Sequence, residues 1–195
     1  MPTFRRLGVF GGTFDPIHLG HLAAADEVRH ALGLEEVVFV PAHAQPLKPA
    51  PVASPEHRLA MTRLAVEGDA GFSVSTVDLD RGGATYTVDT LADLTALHPD
   101  AELTFIAGAD AVATLDRWKD PERLMTLARF VGVTRPGHEA PDPGRGVRVV
   151  DVPGVAVSST EVRRRVSVGA PIRYLVPDAV VEYIDRHRLY LGGNA

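Results

Sequence analysis

Six apolar runs of strand length alternate along the chain with stretches of helical period, and that alternation leaves few folds open. The runs are LGVF near residue 7, EVVFVPA near 36, FSVSTVDL near 72, ELTFIAG near 102, RFVGVTR near 129 and VRVVDV near 147. Between them lie HLAAADEVRHAL, PEHRLAMTRLAVEG, TVDTLADLTALHP and PERLMTLA, each long enough for a crossover helix. Strands that alternate with helices predict an α/β fold, a Rossmann-like doubly wound parallel sheet covered by helices on both faces. The last third changes character. VSSTEVRRRV reads as a helix start, and PDAVVEYIDRHRLY as a closing helix with Pro177 in its first turn, so a small C-terminal helical portion is expected. At 195 residues the chain is read as one domain, residues 1–195, without internal repeat or low-complexity segment.

Composition narrows the chemistry. The chain has no cysteine, which removes disulfides, thiolate catalysis, thiolate zinc sites and iron–sulfur clusters. A formal net charge of −5 speaks against a surface for DNA or RNA and directs any phosphate chemistry toward small nucleotides. No apolar window approaches the length of a membrane span, and the short run after Arg5-Arg6 is too brief for a signal-peptide core, so the cytoplasm is the expected location.

In an open parallel sheet, ligands bind outside the carboxyl ends of the strands. The stretch GVFGGTFDPIHLGH, residues 8–21, falls at such a point. Its first strand is expected to end near Phe10, Gly11 and Gly12 to turn the backbone close to a ligand, and Pro16 to set up the following helix. The helix would turn its N-terminal N–H groups and its dipole toward an anion. His18 and His21, three residues apart, would project from one side of that first turn. Neither GxGxxG nor the Walker A pattern occurs. Read as isolated features, these residues also fit plain architecture or a partial zinc site.

GGTFDPIHLGH resembles the signature of the nucleotidyltransferase superfamily with the HxGH motif. Within it, PAHAQPLK, HRLAM, RGGATYTVDTL, FIAGAD followed by Trp118, TRPG and VSSTEVR are similar to segments of bacterial nicotinate-nucleotide adenylyltransferases, in the same order, and YLVPDAVVEYI continues the likeness. The resemblance covers essentially the whole chain. It implies adenylyl transfer from ATP to nicotinate mononucleotide, giving nicotinate adenine dinucleotide and pyrophosphate in NAD biosynthesis. It further implies that magnesium arrives with the ATP phosphates, without a dedicated metal cage. ATP and nicotinate mononucleotide are then the partners, with no nucleic acid and no membrane; a homo-oligomer is compatible with the sequence.

The resemblance also assigns roles. His18 and His21 would donate to the ATP phosphates, and Gly11, Gly12, Thr13 and Phe14 would form a backbone cradle. Lys48 and Arg135 would neutralise phosphate charge, Asp110 would bond a ribose hydroxyl, and Ser158, Ser159, Thr160 and Arg163 would bind the triphosphate at a helix start. Thr87 would offer a backbone N–H to the nicotinate carboxylate and Trp118 would stack on the pyridine ring. Several of these residues have structural readings as well: Ser158 with Glu161 as a capping box beneath an exposed Arg163–Arg165 run, Asp110 as an N-cap, Trp118 as core. Ala84, Thr85, Val157 and Ala111 depart from the usual family residues. Nicotinamide mononucleotide or phosphopantetheine as acceptor, and a nucleotide-sensing module without catalysis, are the alternatives.

Overall fold

The computed structural model describes residues 5–46, 49–134, 147–152 and 156–192. Four consecutive buried residues mark each of the two central strands, Leu7–Phe10 in β1 (Arg5–Gly12) and Leu103–Ile106 in β4 (Ala101–Gly108). Strands covered on both faces need such unbroken apolar runs, because each successive side chain enters a different core. The remaining strands are β2 (Glu36–Pro41), β3 (Phe72–Val74), β5 (Arg129–Thr134) and β6 (Arg148–Asp151). All pairings are parallel, in the order β3-β2-β1-β4-β5-β6. The chain therefore runs outward from β1 in one direction, returns to the centre, and fills the other half from β4. The Rossmann-like expectation holds, and the crevice between β1 and β4 is the point where the strand order reverses.

Eight helices are present among the described residues: α1 (Leu19–Leu32), α2 (Pro55–Val66), α3 (Val77–Arg81), α4 (Thr87–Leu97), α5 (Ala109–Val112), α6 (Pro121–Leu127), α7 (Ser159–Ser167) and α8 (Asp178–His187). A 3-10 turn spans Leu115–Arg117. One core gathers Phe10, Val28, Phe39, Met61, Ile106, Val162 and Ile184, joining α1, α2, α7 and α8 to one face. The other gathers Val9, Val38, Leu91, Leu94, Phe105 and Leu124, joining α4 and α6 to the opposite face. Neighbours in sequence separate cleanly: Val9 from Phe10, Val38 from Phe39, Phe105 from Ile106. None of the helices among the described residues is long and apolar enough to cross a membrane.

Local chemistry shifts some expected boundaries. β1 continues through Gly12, paired with Pro41 of β2, so the turn falls later than Phe10. FSVSTVDL is a strand only to Val74. Ser75 N–H donates to the Phe39 carbonyl, Thr76 Oγ1 donates to Asp80, and the buried Asp78 accepts from Thr90 Oγ1 at 2.7 Å and Arg81 at 2.9 Å. Those side-chain bonds favour the short helix α3 over further strand. Burial pushes the Asp78 carboxyl above its ordinary range, against the pull of Thr90 and Arg81. Pro177 is the N-cap of α8, one residue before the helix.

Leu91 of α4 is completely buried in the second core. Leu91→Ala is expected to lower unfolding stability by about 2–5 kcal/mol in urea titration, the usual cost of a core cavity. A loss under about 1 kcal/mol would show that α4 is not packed as described.

Candidate active site

The segment joining β1 to α1 is built by crowding. A Cβ on Gly12 would lie 2.7 Å from the Phe14 ring, so only glycine lets that ring fold back under the strand. Phe14 takes φ 49°, in the left-handed region, and its ring is buried edge-on to Phe10 and His21. Its side chain belongs to the core, which leaves backbone as its contribution to any cradle. Asp15-Pro16 is cis, and the helix begins only at Leu19, three residues beyond Pro16.

His18 is the N-cap of α1 and His21 lies in its first turn. Their rings stack, with centroids 3.6 Å apart and planes inclined by 21°. His18 N–H donates to His21 Nδ1 at 3.2 Å, so a neutral His21 carries its proton on Nε2. A Cβ on Gly20 would meet His18 Nδ1 and Val157 Cγ1, each at 3.1 Å, which explains the glycine between the histidines. Leu19 N–H is already committed to the Leu175 carbonyl at 2.9 Å.

Two buried charged residues hold this segment. The Arg58 side chain is fully enclosed; Nη1 donates to the carbonyls of Thr13 at 2.7 Å and Ala42 at 2.6 Å, and Nη2 donates to His43 at 3.1 Å. Burial lowers the Arg58 pKa, opposed by the Asp15 charge, yet an arginine starts so high that it stays cationic. Asp15 accepts Val52 N–H at 2.7 Å, Ala53 N–H at 3.1 Å and the Tyr190 hydroxyl at 2.8 Å. Thr13 Oγ1 donates to Gln45 Oε1 at 2.9 Å, and Thr85 N–H to the Ala44 carbonyl at 2.7 Å.

The start of α7 docks on the same turn. Ser159 Oγ donates to the Pro16 carbonyl at 2.9 Å, and Arg163 Nη1 to the Asp15 carbonyl at 2.7 Å. Ser158 caps α7 by accepting Glu161 N–H, but the Glu161 carboxylate turns to Arg164 and Arg165 instead of completing a capping box. Those two guanidiniums, Arg164 first, hold the Glu161 carboxyl down to about 2. The arginine run is thus divided: Arg164 is exposed, whereas Arg163 is largely covered and points to the turn.

Beyond β4, Asp110 is exposed within α5, whose N-cap is Gly108; the N-cap reading of Asp110 does not hold. Its Oδ1 lies 2.6 Å from where a Cβ on Gly108 would sit. Trp118 is half-buried and edge-on to Phe105 at 6.0 Å and Phe130 at 6.3 Å. Its neighbour Lys119 donates to Asp89 at 2.8 Å and sits 4.5 Å over the Tyr86 ring. The structure therefore gathers His18, His21, Ser159 and Arg163 around one turn, and brings Lys119, the neighbour of Trp118, to the first turn of α4, which opens with Thr87. Lys48 and Arg135 lie outside the described residues.

Arg58, Asp15 and Tyr190 are the residues that sequence reasoning did not assign. Arg58 stands inside the HRLAM segment and Asp15 inside the signature itself, so both carried a signal. Depressions of about 740 Å3 along Arg63, Glu67 and Phe72, and about 360 Å3 by Arg6, Glu102 and Arg148, open away from this edge. Arg58→Met is expected to cost at least about 3 kcal/mol in urea unfolding, because one buried and two partly buried carbonyls lose a charged donor. A cost under about 1 kcal/mol would show that the carbonyls are satisfied otherwise.

The cytidylyltransferase-like family matches residues 9–165. The chain is 54% identical over 188 residues to the probable nicotinate-nucleotide adenylyltransferase of Clavibacter michiganensis subsp. michiganensis, covering 95% of this chain and 94% of the relative. It is 56% identical over 187 residues to the protein of that name from Streptomyces coelicolor, covering 93% and 99%. The structure of Plasmodium falciparum nicotinic acid mononucleotide adenylyltransferase complexed with NaAD aligns with a TM-score of 0.79 over 95% of this chain and 97% of that one, at 19% identity, a likeness of fold. With the stacked histidine pair at the β1–α1 turn, these similarities place the chain in the nicotinate-nucleotide adenylyltransferase family, within the cytidylyltransferase-like group.

Proposed function

We propose that the protein transfers the adenylyl group of ATP to nicotinate mononucleotide in the cytoplasm, for NAD biosynthesis. The observation that carries this reading is the stacked His18–His21 pair at the first turn of α1, beside the reversal point of the sheet. The acceptor phosphate oxygen attacks the α-phosphorus, and the bond from that phosphorus to the bridging oxygen breaks as pyrophosphate leaves. The nucleophile is already anionic, so no general base is needed. The requirement is to align two mutually repelling anions and to neutralise charge building on the leaving group.

The residues suit that task. His21 with its proton on Nε2, and His18 beside it, would donate to phosphate oxygens; Gly11, Gly12, Thr13 and Phe14 would supply backbone around them. Lys48, Arg135 and Arg163, with Ser158, Ser159 and Thr160 at the start of α7, would add positive charge and N–H donors. Asp110 would take a ribose hydroxyl. Magnesium would arrive with the triphosphate, carried by phosphate oxygens and water. Bound there, it would screen the phosphate charge.

The acid form of the acceptor is favoured by the start of α4. Thr87 is the first residue, and its N–H and that of Val88 come before the first helical bonds, which Asp89 and Thr90 N–H make to the Tyr86 carbonyl at the positive end of the helix dipole. The Lys119 ammonium lies over Tyr86, one residue earlier. A carboxylate gains from those N–H groups, whereas an amide gains little; the Lys119 ammonium is already paired with Asp89 of the same turn. Pyrophosphate release from magnesium-ATP is expected to show at least about tenfold higher kcat/KM with nicotinate mononucleotide than with nicotinamide mononucleotide, and negligible turnover with phosphopantetheine. Equal or higher efficiency with the amide would overturn the acceptor. ATP binding without release would favour a nucleotide-sensing module.

A further inference from the structure

Tyr190 lies 175 residues beyond Asp15, yet its hydroxyl donates to the Asp15 carboxylate at 2.8 Å in the buried interior. Reaching it requires unusual backbone. α8 ends at His187; Arg188 then adopts φ 52° and Tyr190 φ 64°, both in the left-handed region that side chains seldom occupy. Arg188 does so as the C-cap of α8, its N–H donating to the Asp185 carbonyl, whereas at Tyr190 the conformation accompanies a phenol held on one carboxylate. An aromatic ring alone would fill the space, as Phe14 does nearby. The hydroxyl adds a hydrogen bond to a carboxylate.

That carboxylate is enclosed. Oδ1 receives Tyr190 and Ala53 N–H, Oδ2 receives Val52 N–H, and Arg163 Nη1 approaches Oδ2 at 3.9 Å while bonding the Asp15 carbonyl. Val52 and Ala53 end the proline-rich connection that carries Lys48 and leads to Ser54, the N-cap of α2. Asp15 lies three residues before His18. The Asp15 side chain thus ties that connection to the histidine turn, and the phenol is its only donor from the C-terminal segment among the described residues.

We propose that Tyr190 is a positioning residue for ATP binding: by fixing the Asp15 carboxylate, it sets the histidine turn against the end of the proline-rich connection. Burial, and then the Asp15 charge, push the Tyr190 hydroxyl far above its ordinary range, so it remains a donor at any working pH. The C-terminal segment becomes part of the phosphate-binding apparatus without touching substrate. Errors in its placement fall on ATP, because Asp15 and Arg163 lie on the triphosphate side. The acceptor side, at Thr87 and Trp118, is built from other elements. The inference rests on the proposed reading for the place of ATP and for the kinetic consequence.

The test compares Tyr190→Phe with Tyr183→Phe. The second removes a phenol of α8 that meets His57 Nδ1 at 3.0 Å, away from Asp15. Amide hydrogen exchange, calorimetric binding of a nonhydrolysable ATP analogue and steady-state kinetics are measured on each full chain. In Tyr190→Phe, protection at Val52 and Ala53 is expected to fall at least about tenfold, with the core amides of β1 and β4 unchanged. Analogue affinity is expected to weaken about fivefold or more and kcat to fall about tenfold, while acceptor KM stays within about twofold. Tyr183→Phe should leave all of these within about twofold. Uniform loss of protection, failure of Tyr190→Phe to fold, or unchanged analogue affinity would each overturn the assignment. A wild-type chain that bound the analogue but released no pyrophosphate would refute adenylyl transfer, and the exchange and affinity data would still decide the role of Tyr190.

Discussion

Arg58 spends a buried positive charge entirely on backbone. Its guanidinium donates to the carbonyls of Thr13, Ala42 and His43, which belong to the turns that leave the carboxyl ends of β1 and β2. Turns at that edge must expose donors to a ligand, so their carbonyls have to face inward, where an unpaired one would be costly. A planar fork with several fixed donors satisfies them together, which lysine could not do. Burial opposes the charge, and the nearby Asp15 supports it.

Asp15 performs the converse task for N–H groups and for the chain end. Between them, Arg58 and Asp15 connect residues 13, 42–43, 52–53 and 190, and Arg163 joins them through the Asp15 main-chain carbonyl, so both halves of the sequence meet there. The segment that leads into α1 is held by these bonds. Gly20 and Val157 shape the space beside His18, and the His18 N–H to His21 Nδ1 bond sets the second ring. Electrostatic stabilisation of phosphate is strongest when its donors need no reorganisation.

The sheet was legible in the sequence because its signal is local: apolar runs such as EVVFVP and LTFIAG specify buried parallel strands without reference to partners. The histidine pair was legible through spacing and through the surrounding signature. What was missed depends on distance along the chain. Tyr190 meets Asp15 across 175 residues, and Arg58 meets Thr13 across 45, contacts that no periodicity encodes. The short helix α3 was hidden because FSVSTVDL has the β-branched content of a strand, while the bonds of Thr76 and Asp78 decide otherwise. Trp118 packs on Phe105 and Phe130, as the core reading expects, while its neighbour Lys119 reaches Asp89 at the start of α4.

The central claim is that the turn between β1 and α1 is a preformed site for triphosphate. A crystal structure with magnesium and a nonhydrolysable ATP analogue tests it most directly. Phosphate oxygens are expected within hydrogen-bond reach of His18 and His21, with the Cα atoms of residues 11–21 displaced by less than about 1 Å from their positions described above. A nucleotide bound away from the histidines, or a turn that must refold to receive it, would contradict the account.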